Sequence, residues 1–260
     1  MQRASRHRCD DVTAATADER EMSATRSVQQ EPEIPRLIHR DADIVVLDKP
    51  SGLATLADRS GAPNLWDALP DLLGCKPYLV HRLDKGTSGV MVVALNPATQ
   101  ATLTRAFNAR QVRKFYLARV VGLPSPPGRS LLIDLPLRPG RKSRFRVAGQ
   151  RADILRLAAG WHLSQYDGSG HESRTRLRTL ATTPDERTSL VLLEPISGRT
   201  HQLRVHLSWI GHPILGDMLY GQPGSPLQSA SRLELHCHRL VVPRFGSFSA
   251  QLPGHWPSCS

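Results

Sequence analysis

Short apolar runs bounded by turn residues dominate the pattern of the chain. The run that starts at Ile44 ends at the turn signal Lys49-Pro50-Ser51-Gly52, and several later segments have a similar length and similar flanks. Runs of about four to eight apolar or alternating residues are typical of β-strands. The pattern therefore predicts five strands, at residues 44–47, 90–95, 114–121, 188–194 and 233–237.

Two segments have the residue spacing of helices instead. Asn96 can cap a helix whose first residue is Pro97, which predicts a helix from about Pro97 to Asn108. A second helix is predicted over residues 200–210, where apolar side chains recur at spacings of four and three. Because strands outnumber helices and no regular strand–helix–strand rhythm is present, the predicted fold class is α+β with a mixed sheet.

The composition separates an N-terminal extension from a basic body. Residues 1–33 hold five arginines against seven acidic residues, a net charge of −2, whereas the whole chain carries +11. The remaining residues therefore carry +13, which favours an acidic partner, nucleic acid before an anionic membrane. Residues 1–33 also contain almost no large apolar side chains, so we expect them to be a disordered extension and residues 34–260 to form one folded domain.

Other classes of protein are excluded by what the sequence lacks. No apolar run reaches the roughly 18 residues that span a bilayer, and the N-terminus has no apolar core of a secretory signal, so we expect a cytoplasmic protein. The four cysteines are far apart and form no Cys-x-x-Cys pair, so we expect free thiols rather than disulfides or a zinc site. They are Cys9, Cys75, Cys237 and Cys259.

The nine residues from His81 to Gly89 place a carboxylate between two cations. Asp84 lies between Arg82 and Lys85, and small or hydroxylated residues follow before an apolar run. A carboxylate held near cations in a loop would stay ionised at neutral pH and could act as a nucleophile or base. It could equally be a structural residue that caps a turn. The segment alone leaves both interpretations open.

This segment resembles the HRLDxxTSG signature of the RluA family of pseudouridine synthases. Four further stretches resemble motifs of that family, in the same order along the chain, and the resemblance extends over residues 34–256. They are IVVLDKPSGL at 44–53, KFYLA at 114–118, SGRTHQLRVHLSWIGHPILGDMLYG at 197–221 and LHCHRL at 235–240. The family detaches uridine in RNA from its ribose at N1, turns the base and rejoins it through C5, without a cofactor. The resemblance implies a monomeric catalytic domain of α+β fold over residues 34–260, acting on ribosomal RNA, transfer RNA or both.

The resemblance also implies roles for individual residues. Asp84 corresponds to the family's nucleophile, which attacks the ribose C1′ or acts as the base that starts a glycal route. Tyr116 corresponds to a tyrosine that packs on the target base, and Leu203 to an apolar position beneath it. Arg204 corresponds to the basic residue that pairs with the aspartate, and Arg82 to an arginine that enters the RNA helix as the nucleotide is flipped out. Further substrate contacts are expected from His81, Thr87, Arg199 and His201.

A metal site is not expected, although the C-terminal half is rich in histidine. His201 and His206 would lie roughly 140° apart around a helix, so one ion could not bind both. His236 and His238 share a strand face, but no carboxylate or cysteine lies at a supporting spacing. We therefore expect neither a metal nor a cofactor.

Two further interpretations remain open. An RNA-binding or ribosome-assembly protein could keep this fold without the chemistry, but it would be expected to lack Asp84, Tyr116 or Arg204, and all three are present. Residues 138–178 show no clear period and are predicted to be irregular, forming either a solvated loop or hairpin or, through their many arginines, a surface that faces RNA. No S4 RNA-binding domain is expected before Ile34.

Overall fold

The computed structural model describes residues 34–58, 60–141, 144–185, 187–221 and 230–256. The extension predicted over residues 1–33 lies outside this part of the chain, as do Cys9 and Cys259. The helices are α1 (Leu65–Leu73), α2 (Pro97–Asn108) and α3 (Gln202–Trp209). The strands are β1 (Arg36–Arg40), β2 (Ile44–Lys49), β3 (Tyr78–Leu79), β4 (Ser88–Ala94), β5 (Arg113–Val121), β6 (Ser130–Asp134), β7 (Leu137–Pro139), β8 (Phe145–Val147), β9 (Ile154–Leu157), β10 (Gly160–Leu163), β11 (Arg174–Thr182), β12 (Thr188–Pro195), β13 (Leu235–Val242) and β14 (Gly246–Ser249).

Twelve of these strands form one mixed sheet. Its main order is β1-β2-β4-β13-β5-β12-β11-β6-β10-β9, with β3 paired to β4 and β14 paired to β13. Among the described strands, β13 runs parallel to β4 and β10 runs parallel to β6, whereas the other pairs are antiparallel. The predicted α+β class with a mixed, mostly antiparallel sheet is confirmed.

Two apolar cores cover different parts of this sheet. The first contains β2 and β4 together with the buried faces of α1 and α2, and every residue of β4 is buried. The second lies beneath β5, β6, β11 and β12 and includes Leu203, Val205 and Leu207 of α3. Tyr116 on β5 packs against both cores. Tyr116 therefore lies where the two halves of the sheet meet.

The five predicted strands and both predicted helices are present. The Asn96 side chain accepts a hydrogen bond from the backbone N–H of Thr99 at 2.9 Å, so α2 begins at Pro97 as its capping signal indicates. The last predicted strand starts at Leu235 rather than at residue 233 and extends to Val242. Helix α1 was not predicted, because Pro70 in its middle is a residue that normally interrupts helices.

Residues 138–178 are more regular than predicted, and of the alternatives given for them the hairpin agrees with the structure. This region contains strands β8, β9 and β10, and it includes most of β7 and the first half of β11. Strands β7 and β8 form an antiparallel pair, as do β9 and β10. Four of these strands contain only three or four residues each, which is too short to show an alternating pattern in the sequence.

Candidate active site

The loop that carries Asp84 connects β3 to β4 and is fixed by hydrogen bonds to its backbone. Ser51 Oγ donates to the carbonyl oxygen of Gly86 at 2.7 Å, and Thr55 Oγ1 donates to that of Leu83 at 2.7 Å. Both hydroxyl groups belong to the loop that follows β2. Ser51 lies within the family-like stretch 44–53, and Thr55 lies just after it. The turn that positions Asp84 is therefore held by residues about 30 positions earlier in the chain.

Lys49 supports the same loop from inside the core. Its side chain is fully buried, and its Nζ donates to the carbonyl oxygens of Pro50 at 2.8 Å, Leu53 at 2.7 Å and Lys85 at 3.4 Å. Burial lowers the pKa of Lys49 to about 7, and the negative charge of Asp84 opposes this shift. Lys49 lies in the family-like stretch 44–53, but no role for it was predicted from the sequence.

The Asp84 side chain faces a cavity and makes no hydrogen bond with any residue that the structure describes. The backbone carbonyl of Asp84, not its side chain, closes the local turn by accepting from Thr87 N at 3.0 Å. The nearest cationic or polar nitrogens are Arg204 Nη1 at 3.8 Å and His201 Nε2 at 3.9 Å from Oδ2. Both distances exceed a hydrogen bond, so the carboxylate oxygens are oriented by charge but remain free to react.

Arg204 on α3 has a closer partner than Asp84. Its Nε and Nη2 donate to the two carboxylate oxygens of Asp217 at 2.8 and 2.7 Å. Burial lowers the pKa of Arg204, but the hydrogen bonds and charge of Asp217 outweigh that effect, and the net pKa is raised. The guanidinium also lies 5.1 Å from the centre of the Tyr220 ring. The expected approach of Arg204 to Asp84 is present, but Asp217 determines where the guanidinium points.

A second hydrogen-bonded chain, through Tyr220, orients the His201 imidazole so that one of its nitrogens faces Asp84. The Tyr220 hydroxyl accepts from Phe145 N at 2.9 Å and lies 2.8 Å from His201 Nδ1. The hydroxyl can donate its own proton to Nδ1, and in that arrangement the imidazole proton lies on Nε2, the nitrogen that faces Asp84. Burial lowers the pKa of His201, which favours this neutral form. His201 precedes α3 in a left-handed conformation, with a φ of 56°.

Tyr116 and Cys237 occupy opposite positions on the paired strands β5 and β13. Burial is the main reason why the pKa of Tyr116 is raised well above its ordinary value, and burial raises the pKa of Cys237 to about 12. The phenol is therefore neutral at physiological pH and offers a ring face and a hydroxyl to the cavity.

His81 forms part of the cavity wall and is held by its own contacts. Its Nε2 accepts from the backbone N–H of Val92 at 3.0 Å, and its ring stacks on Phe107 with the ring centres 4.6 Å apart. Burial, followed by the charge of Lys114, lowers the pKa of His81 to about 3. The imidazole is therefore neutral, with one ring nitrogen already occupied.

All nine predicted site residues line one cavity of about 480 Å³. Arg82 and Arg199 are exposed at its rim, while Thr87 and Leu203 are buried in its wall. The remaining five are His81, Asp84, Tyr116, His201 and Arg204. The structure thus brings together residues from three distant segments of the chain, at 81–87, 116 and 199–204. Asp217 and Tyr220 were missed as support residues, because single residues within a long motif give no spacing signal.

His206, one of the histidines considered as a metal ligand, has other hydrogen-bond partners. His206 lies in the second core, where its ring nitrogens hydrogen-bond with the Leu135 carbonyl at 2.9 Å and with Thr175 Oγ1 at 3.0 Å. Within the described ranges, no three histidine, cysteine or acidic side chains are grouped as metal ligands.

None of the described helices is long and apolar enough to cross a membrane.

Comparisons with known proteins indicate the family to which the chain belongs. Residues 43–209 match the RNA pseudouridylate synthase family. The dual-specificity RNA pseudouridine synthase RluA of Salmonella typhi is 36% identical over 223 residues, which cover 81% of this chain and 89% of that protein. The RluA protein of Escherichia coli K12 is 35% identical over 225 residues, with 81% and 89% covered.

Solved structures support the same conclusion. Human RNA pseudouridylate synthase domain containing 4 superposes with a TM-score of 0.67 at 28% identity, covering 84% of this chain and 89% of that one. Human RNA pseudouridylate synthase domain containing 1 gives a TM-score of 0.67 at 27% identity, covering 86% and 84%. With the cavity, the fold and these sequence matches in agreement, the chain belongs to the RluA family of RNA pseudouridine synthases, enzymes that isomerise uridine in RNA.

Proposed function

We propose that this enzyme converts specific uridines of transfer RNA, ribosomal RNA or both, and that Asp84 is its nucleophile. The observation that carries the proposal is the unbonded Asp84 carboxylate, which faces the cavity between Arg204 Nη1 and His201 Nε2. The RluA relatives are named dual-specificity RNA pseudouridine synthases, which is compatible with action on more than one kind of RNA. Either attack on the ribose C1′ or proton removal that starts a glycal route would use this carboxylate.

The target nucleotide has to leave its stacked strand to reach Asp84. The carboxylate lies inside the cavity, whereas Arg82 is exposed at the rim only two residues earlier. Arg82 is placed to fill the gap that a flipped-out nucleotide leaves, by stacking as well as by charge. Tyr116 and Leu203 line the interior, where an aromatic and an aliphatic side chain can enclose a uracil ring.

The other predicted contacts have different roles in this proposal. Arg199 is exposed at the rim and is suited to a phosphate of the RNA backbone. His201 can donate from Nε2 to a ribose oxygen close to the reacting carbon. Thr87 and His81 shape the wall, because Thr87 is only 2% exposed and His81 is neutral and stacked. We also propose that the protein acts as a cytoplasmic monomer, which light scattering after size-exclusion chromatography and cell fractionation would test.

The activity can be measured by release of label from RNA. Uridine carrying tritium at C5 loses that atom when C5 becomes bonded to the ribose, so incubation without a cofactor should release tritium. Total RNA from cells that lack the gene is the substrate, separated into transfer and ribosomal fractions to assign the RNA class. The matched control is Asp84→Asn protein. If the RNA of both fractions kept all its label after incubation with wild-type protein, the proposal would be contradicted.

A further inference from the structure

Lys114 occupies the cavity beside the proposed position of the base. It lies two residues before Tyr116 on β5, and alternation along a strand places both side chains on the same face. Both residues line the cavity. A Cβ atom at residue 198 would lie 3.2 Å from Lys114 Nζ and close to no other atom, so the ammonium group sits directly over Gly198.

Among the residues that the structure describes, the half-buried Lys114 ammonium has no hydrogen-bond or ion-pair partner, unlike the cavity cations Arg204 and Arg110. Arg204 binds Asp217 through two hydrogen bonds, and the rim residue Arg110 pairs with Glu172 at 3.4 Å. Lys114 forms no hydrogen bond or ion pair with any residue in the described ranges. A half-buried cation without a counterion is destabilised by burial, which lowers its pKa. Such a group would gain most from an anion that arrives with the substrate.

The isomerisation itself generates an anion at this place. When the bond between C1′ and N1 breaks, its electron pair stays on N1, and resonance spreads the charge over the O2 and O4 atoms of uracil. This holds whether Asp84 forms an ester with C1′ or removes a proton to give a glycal. Asp84 is close enough to Tyr116 to raise the pKa of its phenol. A base held by its ribose at Asp84 and packed on Tyr116 would direct its far edge toward Lys114.

We infer that Lys114 stabilises the detached uracil anion, with its ammonium group donating to a uracil carbonyl oxygen. This inference rests on the proposed positions of Asp84 and the base. Lys114 thereby acts as the electrophilic partner of the leaving group, in a cavity wall where a fixed charge is more effective than it would be in water. The same ammonium would favour retention of the base in the cavity until C5 attacks C1′.

Single-turnover rates and RNA affinities of Lys114 variants test this role. Lys114→Met should lower the single-turnover rate about 100-fold, with an unchanged melting temperature and an RNA Kd within about threefold of wild type. Lys114→Arg should recover part of the rate, because it keeps the charge. Lys76→Met is the matched control, since Lys76 is an exposed lysine outside the cavity, and it should behave as wild type.

Gly198→Ala provides an independent test, because its only close contact would be Lys114 Nζ. This variant should slow the wild-type enzyme by at least about tenfold by displacing the ammonium, yet add nothing to Lys114→Met. Lys114→Met that keeps the wild-type rate, or that loses only RNA affinity as expected of a phosphate contact, would overturn the inference. A different result would separate the two proposals. If Asp84→Asn kept its single-turnover rate while Lys114→Met lost it, the proposed nucleophile would be refuted and the role of Lys114 would remain supported.

Discussion

The two walls of the cavity are held in place by different kinds of interaction. On the Asp84 side, hydroxyl groups of the loop after β2 and the side-chain nitrogen of Lys49, at the end of β2, bind backbone carbonyls of the catalytic loop. On the α3 side, Arg204 is held by the carboxylate of Asp217, and His201 by the hydroxyl of Tyr220. One wall therefore depends on backbone geometry, and the other depends on a network of charged and polar side chains.

This difference has consequences for how each wall tolerates change. Several separate hydrogen bonds hold the catalytic loop, so the loss of any one leaves the others in place. In the α3 wall each functional side chain has one main support, and removing that support leaves a buried charge or an unsatisfied donor. The α3 wall should therefore be the more sensitive of the two to single substitutions.

The largest effect is expected for Asp217→Ala. The Asp217 side chain is only 1% exposed, so its loss leaves the Arg204 charge without its hydrogen-bonded partner and should cost about 3 kcal/mol of unfolding free energy. Arg204 would then turn toward the Asp84 carboxylate and block it, lowering the rate by more than about 100-fold. Denaturant unfolding and single-turnover assays measure both effects. Glu172→Ala, which removes exposed ion pairs with Arg110 and Arg174, should cost less than about 1 kcal/mol. Equal costs for the two variants would contradict the comparison.

For the loop wall, we expect the free energy of unfolding to depend on pH through Lys49. Lys49 has a folded-state pKa of about 7 against an ordinary value of 10.5, so between these values the unfolded chain binds a proton that the folded protein has released. The unfolding free energy of the wild type, relative to Lys49→Met, should therefore rise by about 1 kcal/mol per pH unit from pH 7.5 to 9. Chemical denaturation of both proteins across this range measures the difference. A difference that stays constant with pH would show that Lys49 remains protonated.

Within the α3 wall, a smaller effect than that of Asp217→Ala is expected for Tyr220→Phe. The variant keeps the ring beside Arg204 but removes the hydroxyl that links Phe145 N to His201 Nδ1, which should cost about 1–2 kcal/mol of stability. Loss of the imidazole's orientation should slow turnover about tenfold. Tyr166→Phe is the control, because it removes an exposed hydroxyl that bonds the Gly170 carbonyl. A Tyr220→Phe enzyme as active as this control would show that His201 needs no such support.

The sequence predicted elements whose signals are local. Helix α2 has its cap, its proline and its apolar face within one short segment, and β4 is a continuous buried run that needs no alternation to be recognised. Motif resemblance also indicated the residues that line the cavity. All nine line the cavity, and they lie in the motifs of the loop before β4, of β5 and of the segment that leads into α3.

Features that depend on distant partners could not be predicted in the same way. Asp217 becomes important only when the fold brings it to Arg204, 13 residues earlier, and a single carboxylate has no distinctive pattern. Lys49 resembles any strand-end lysine until three carbonyls surround it. Strands β7–β10 are stabilised by their pairing with each other and with β6, so their short sequences contain little information about them.

The central claim is that the Asp84 carboxylate performs the chemistry while other residues hold the RNA. Asp84→Asn keeps the shape of the side chain and removes its charge, so single-turnover tritium release should be abolished. The RNA Kd, measured in parallel at the same salt concentration, should remain within about threefold of wild type because the phosphate contacts persist. Release of tritium by Asp84→Asn at a rate near that of the wild type would contradict the account.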